Sequence, residues 1–211
     1  MKSLFPDIPW KDITTVGFDM DGTLYDEFDF IYQVYHKIAK TFSQKNNEEE
    51  IFQFMLLRWL EKGSSYPFIF KETLETFKIK EGLHKKYIEV ALSIFRNFKP
   101  KLTLTNRKKI ILKELKKEYN LFIVSNGSSV LQWNKVKALK LEKYVDKKNI
   151  VISGDFGKNY EKPNLKSIEM IPILRNNKIK KNVVFIGDRD TDERFAAKAG
   201  FHFIKINDKL I

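Results

Sequence analysis

Two carboxylates stand one residue apart in the run Asp19-Met20-Asp21-Gly22-Thr23, directly after the short apolar stretch Thr15 to Phe18. The chemistry open to such a pair is nucleophilic attack and proton transfer. Gly22 can take a tight turn at this point and Thr23 adds a hydroxyl, counted with the substrate-binding groups. A calcium loop would require further acidic ligands and a closing Glu at fixed spacing, which the residues from Leu24 onward do not supply.

Three more stations come after apolar runs in the same way. Ser125-Asn126-Gly127, with Ser128 opening a helical pattern, offers a hydroxyl, an amide and backbone N–H groups to phosphate oxygens. Turns of this kind are rich in Ser, Asn and Gly for conformational reasons, so the segment gains weight only in company. Lys162-Pro163 puts a cation where carboxylates and phosphate would need balancing, with Pro163 suited to the first turn of a helix. Gly187-Asp188-Arg189-Asp190-Thr191-Asp192 concentrates three carboxylates, whose repulsion a divalent cation would relieve; a helix start favouring Asp is the plainer alternative.

The elements that must position these residues are five buried strands, at Thr15 to Phe18, Leu121 to Ser125, Ile150 to Ser153, Val183 to Ile186 and His202 to Ile206. Helical patterns at 105–118, 128–140, 163–175 and 191–199 alternate with the later strands, which implies a doubly wound, Rossmann-like parallel sheet with ligands beyond the strand ends. About a hundred residues separate the first two strands, and Phe30, Ile31, Val34, Tyr35, Ile38 and Phe42 recur there at helical spacing, as do Ile51, Met55 and Trp59 and then Tyr87, Ile88, Ala91, Leu92 and Phe95. The expected organisation is a catalytic core at 1–26 and 101–211 with an inserted α-helical cap of about four helices at 27–100.

Composition sets the outer limits. The chain of 211 residues has no cysteine, which excludes disulfides, thiolate metal sites and cysteine nucleophiles. No apolar run is long enough for a signal peptide or a membrane span, so a cytoplasmic protein is expected. The net charge of +12 is local: residues 101–182 carry 20 basic against 7 acidic side chains. Lysines such as Lys108, Lys109, Lys113, Lys116 and Lys117 read as a solvated helix face, and nucleic-acid binding is disfavoured without an accompanying aromatic-basic motif. His36, His84 and His202 show no ligand spacing.

The four stations, in this order and each at a strand end, resemble the haloacid dehalogenase superfamily, specifically its phosphatase-like members with a helical cap between the first and second motifs (the phosphoglycolate phosphatase and beta-phosphoglucomutase-like group). The resemblance covers nearly the whole chain and implies a phosphatase acting on a small phosphate ester. It makes Asp19 the nucleophile that becomes an aspartyl-phosphate and Asp21 the acid and then the base. It implies Mg²⁺ held by Asp19, the Asp21 backbone carbonyl and Asp188, with Asp192 in support, while Ser125, Asn126, Gly127 and Lys162 hold the transferring oxygens. The loop Gly157 to Lys162 is two residues longer than the family's G-x-x-K-P pattern, which leaves Lys158 as a rival to Lys162, and Arg189 stands where a small polar residue is frequent. A dehalogenase is disfavoured by the presence of Asp21. A phosphomutase, a phosphonate hydrolase and a non-catalytic or nucleic-acid-binding protein stay as alternatives. The turn Gly63-Ser64-Ser65-Tyr66-Pro67 is the expected seat of substrate choice.

Overall fold

A computed structural model describes residues 2–43, 47–175 and 180–206. Its chain divides into two compact units, Met1–Asp26 with Leu102–Ile211, and Glu27–Lys101.

In the first unit, strands β1 (Thr15–Phe18), β2 (Asn120–Ser125), β3 (Ile150–Ile152), β4 (Val183–Gly187) and β5 (His202–Lys205) form one parallel sheet in the order β3-β2-β1-β4-β5. The strands β1 and β4 are buried throughout, as their largely apolar sequences require of a sheet covered on both faces. Phe122, Phe185, Phe195 and Phe201 pack into one cluster against the sheet, Phe185 and Phe195 edge to face at 5.1 Å.

The second unit is helical, with α1 (Glu27–Phe42), α2 (Glu48–Lys62), α3 (Ile69–Thr76) and α4 (His84–Asn97). The apolar stripe of α1 is buried as its spacing predicts, from Phe30 to Phe42. On α4 only Ala91 is fully buried, because the small residue marks the line of closest approach while Tyr87, Ile88, Leu92 and Phe95 straddle it half exposed.

Helices α5 (Asn106–Glu118), α6 (Ser129–Leu139), α7 (Lys166–Glu169), α8 (Pro172–Arg175) and α9 (Asp190–Ala199) complete the first unit. Thr105 caps α5 by accepting the Lys108 N–H at 3.2 Å. Two expectations are corrected here. The single helix over 163–175 is instead the two short helices α7 and α8, because Pro172 cannot continue the hydrogen-bond ladder, and Pro163 precedes α7 rather than opening it. Lys108 is not on a solvated face; it is buried, lying four and seven residues before Leu112 and Leu115 on the inward side of α5.

Candidate active site

The sheet register brings the chemical residues to one edge. Phe18 at the end of β1 is level with Ile123 of β2 and Ile186 of β4, so the residues just past each strand emerge together. The Asp19 N–H donates to the Ile186 carbonyl at 2.9 Å, which carries the strand pairing one residue past the end of β1. At Gly22, φ is +76° and a Cβ would lie 2.4 Å from Asp188 Oδ2, so any side chain there would collide with the Asp188 carboxylate. Thr23 is fully buried and donates to Asp188 Oδ1 at 3.3 Å; the contact seen for it is with the acidic group.

Lys162 rather than Lys158 reaches this edge. Its Nζ is bonded to Asp19 Oδ1 and lies 2.7 Å from Asp192 Oδ1, while Lys158 is exposed in the preceding loop. A reciprocal amide pair fixes the Lys162 backbone: its N–H donates to Asn126 Oδ1 at 2.8 Å and its carbonyl accepts from Asn126 Nδ2 at 3.0 Å. The Asn126 side chain thus ties the second and third stations together. Gly127 donates its N–H to Ser153 Oγ at 3.1 Å. Ser125 is fully buried and accepts from Gln132 Nε2 at 2.8 Å.

The carboxylates differ in their surroundings. Burial pushes Asp19 up to about 7 against the opposing pull of Lys162, with Asp192 and Asp21 adding to the rise. Burial also raises Asp188, only partly offset by the Arg189 guanidinium, whose Nε is 3.7 Å from Asp188 Oδ2. Burial would raise Asp21 as well, but Lys135 and the donors Tyr25 and Gln132 outweigh it and hold this carboxyl below its ordinary value. Lys162 shows the converse: burial alone would lower it, and Asp19 and Asp192 hold it above the usual lysine range.

Among the described residues, Asp19, Asp188 and Asp192 offer carboxylate oxygens all within 4.8 Å of one another. An all-oxygen donor set of this span suits a hard divalent cation. The charge count agrees: four inward carboxylates, Asp19, Asp21, Asp188 and Asp192, face two buried ammonium groups, Lys135 and Lys162, with Arg189 a more exposed third cation. The Asp21 side chain stands apart from the trio, turned to Lys135 at 2.5 Å. Asp190, by contrast, is an exposed first-turn residue of α9 paired with Lys205 at 2.8 Å, as the plain helix-start reading of that segment anticipates. A small cleft of ≈ 40 Å³ is lined by Asp19, Asp21, Asn126, Lys162, Arg189, Thr191 and Asp192.

Sequence reasoning missed Tyr25, Gln132, Lys135 and Thr191. Gln132 and Lys135 carried a detectable signal, since they share the buried face of α6 with Leu131, Val136 and Leu139, and polar residues inside an apolar stripe need a reason.

Fold and site together define a Rossmann-like α/β protein whose buried carboxylates and lysines gather beyond the ends of parallel strands. The haloacid dehalogenase-like hydrolase family matches residues 16–206, and the chain belongs to it. Over 205 residues it is 26% identical to the glyceraldehyde 3-phosphate phosphatase of Methanothermobacter thermautotrophicus, covering 94% of this chain and 87% of that protein. In fold it is similar to a subfamily IA hydrolase of the same superfamily from Geobacter sulfurreducens (TM-score 0.67, 21% identity, 92% of this chain and 87% of the other). The Bacillus subtilis protein YfnB, solved bound to magnesium, gives a TM-score of 0.66 at 18% identity over 94% of this chain and 89% of its own. Among the described residues no helix is long and apolar enough to cross a membrane.

Proposed function

We propose that this chain is a Mg²⁺-dependent phosphatase that hydrolyses a small phosphomonoester through an aspartyl-phosphate on Asp19. The observation that carries the reading is the junction at Asp19, where one carboxylate belongs both to a trio of oxygens spaced for a divalent cation and to an ion pair with the buried Lys162. Asp19, Asp188 and Asp192 would hold the cation, joined by the Asp21 backbone carbonyl. When bound it supplies positive charge to the phosphoryl oxygens.

In the reaction, an Asp19 oxygen bonds to phosphorus as the ester oxygen departs with its electron pair and takes a proton from Asp21; that proton enters with a substrate monoanion. Water then attacks phosphorus, Asp21 takes the proton released, the Asp19–phosphorus bond breaks to give inorganic phosphate, and Asp21 passes its proton to the phosphate as that leaves. Lys162 and the Ser125 hydroxyl hold the transferring oxygens throughout, because a loose phosphoryl transition state depends on positioned donors more than on covalent help. Asp21 is tied as an anion at rest, so the step for which it is already poised is proton uptake from water.

The similarity to a glyceraldehyde 3-phosphate phosphatase puts triose phosphates first on a substrate panel, ahead of sugar phosphates, phosphoglycolate, nucleotides and an aryl phosphate. Phosphate release that needs Mg²⁺ and stops in EDTA supports the reading. No release from any compound by folded, metal-loaded protein rejects it.

Choice among these esters is assigned to the helical unit. There a cavity of ≈ 190 Å³ is lined by Trp59, Ser64, Tyr66, Pro67, Phe70 and Phe95 among others, which includes three members of the Gly63 to Pro67 turn. The turn is anchored by Trp59 Nε1 donating to Ser64 Oγ at 2.8 Å and by the Tyr66 hydroxyl donating to Glu72, itself paired with Arg58 at 2.8 Å. Tyr66→Ala is expected to change the ratio of kcat/KM between the best and poorest panel substrates by about tenfold, the scale of a pocket contact. An unchanged ranking removes the turn from substrate selection.

A further inference from the structure

We propose that Gln132 and Lys135 on α6 are positioning residues for the reaction, fixing the Asp21 carboxylate and turning the Ser125 hydroxyl proton toward the phosphoryl group. The inference rests on the phosphatase reading and assigns work to two side chains outside the four stations.

Hydrogen-bond valence carries it. Gln132 Nε2 can only donate, and it lies 2.6 Å from Asp21 Oδ2, 2.8 Å from Ser125 Oγ and 2.8 Å from the Asn126 carbonyl. The two hydrogens of that nitrogen are shared among these three oxygens, and Ser125 Oγ cannot donate back to it, which leaves the hydroxyl hydrogen for another oxygen; in the reaction that partner is the phosphoryl group. Reversing the amide would set Gln132 Oε1 against the Asp21 carboxylate, oxygen to oxygen, so the orientation is fixed by Asp21 itself. The cost is visible, because Oε1 then has no hydrogen-bond partner among the described residues.

Lys135 completes the arrangement. Its Nζ lies 2.5 Å from Asp21 Oδ1, which also accepts from the Tyr25 hydroxyl, so each oxygen of Asp21 is held by a donor from α6. Gln132 and Lys135 are 2% and 3% exposed, one helical turn apart on the face that otherwise packs Leu131, Val136 and Leu139. Packing alone would be met by Leu or Met at both positions, without the desolvation of a buried ammonium. A rigid helix that begins just after Ser125 and Asn126 thus sets the carboxylate that moves protons and the hydroxyl that grips phosphate from one surface.

The test compares Gln132→Met and Lys135→Met with wild type, in Mg²⁺, on para-nitrophenyl phosphate and on the best alkyl phosphate of the panel. Nitrophenolate leaves without a proton, whereas an alkoxide needs the one Asp21 gives. Lys135→Met is expected to lower kcat/KM for the alkyl ester about 10²-fold, the scale of a misplaced catalytic group, and for the aryl ester about tenfold less than that. Gln132→Met, a neutral change of similar volume that guards against a folding failure at Lys135, is expected to lower both, the alkyl ester more, because Ser125 serves either substrate. Equal losses on the two esters, or none in a folded Gln132→Met protein, overturn the positioning role while wild-type turnover leaves the phosphatase reading intact. Absence of Asp19-dependent release from wild type on both esters overturns the phosphatase reading and this inference with it.

Discussion

Asp19→Asn is expected to abolish phosphate release while making the metal-free protein more stable at pH 8. On the proposed mechanism this removes the nucleophile and should cost on the order of 10⁴-fold or more in kcat. The stability change is a matter of linkage. Asp19 has a folded-state pKa raised from 3.8 to about 7, so its contribution is fully present below pH 3.8 and is lost as pH rises through about 7. Above that, an ionised Asp19 costs the fold a few kcal/mol relative to an uncharged side chain, an upper figure because Lys162 shares the strain. The amide of the variant cannot ionise and still offers Lys162 an oxygen. In EDTA the variant should therefore melt higher than wild type by on the order of 5 °C at pH 8, and the gap should narrow below about pH 7 and close only near pH 3.8. A lower melting temperature at pH 8 would show that attraction between Asp19 and Lys162 outweighs the burial of the carboxylate. The expected pattern is that of a site in which function is kept at the expense of stability.

The same burial explains how much of this site can be read in the sequence. Asp19, Ser125, Lys162 and Asp188 announce themselves because each comes at or after the end of an apolar run, and a parallel sheet delivers the residues beyond its strand ends to one edge. The strands themselves are found to within a residue or two for the same reason. Residues acting from within a helix leave a fainter trace. Lys135 lies in the lysine-rich stretch 101–182, where the default for any lysine is solvent; the structure instead buries Lys108, Lys135 and Lys162. The feature that distinguishes Lys135 is its partner Asp21, 114 positions away in the chain, and helical periodicity reports no contact over that distance. The Lys162 loop is a middle case. Its extra length leaves Lys158 and Lys162 open as rivals, and the Asn126 amide, bonding both backbone groups of Lys162, is what decides between them.

Divalent-cation affinity should rise with pH, because the free site holds protons that the cation must displace. Asp19, pushed up to about 7, and Asp188, raised by its burial, are both partly protonated in the acid range when no cation is present. Each proton released on binding makes the apparent affinity climb about tenfold per pH unit while that group is still protonated, then level off. For Mg²⁺ the dissociation constant should fall steeply from about pH 5 to about 7 and change little above about pH 8. Calorimetry in buffers of different ionisation enthalpy measures the protons directly: close to one or more released at about pH 6, and few at about pH 8.5. Asp19→Asn should bind more weakly and lose most of the slope, because only Asp188 remains of the two raised groups. A dissociation constant that stays flat across this range would mean the carboxylates are already ionised in the free site, with Lys162 rather than protons balancing them. The cation would then have to displace the Lys162 ammonium from between Asp19 and Asp192, and binding should tighten in Lys162→Met; with proton competition it should not, since losing the ammonium drives both neighbouring carboxyls further up.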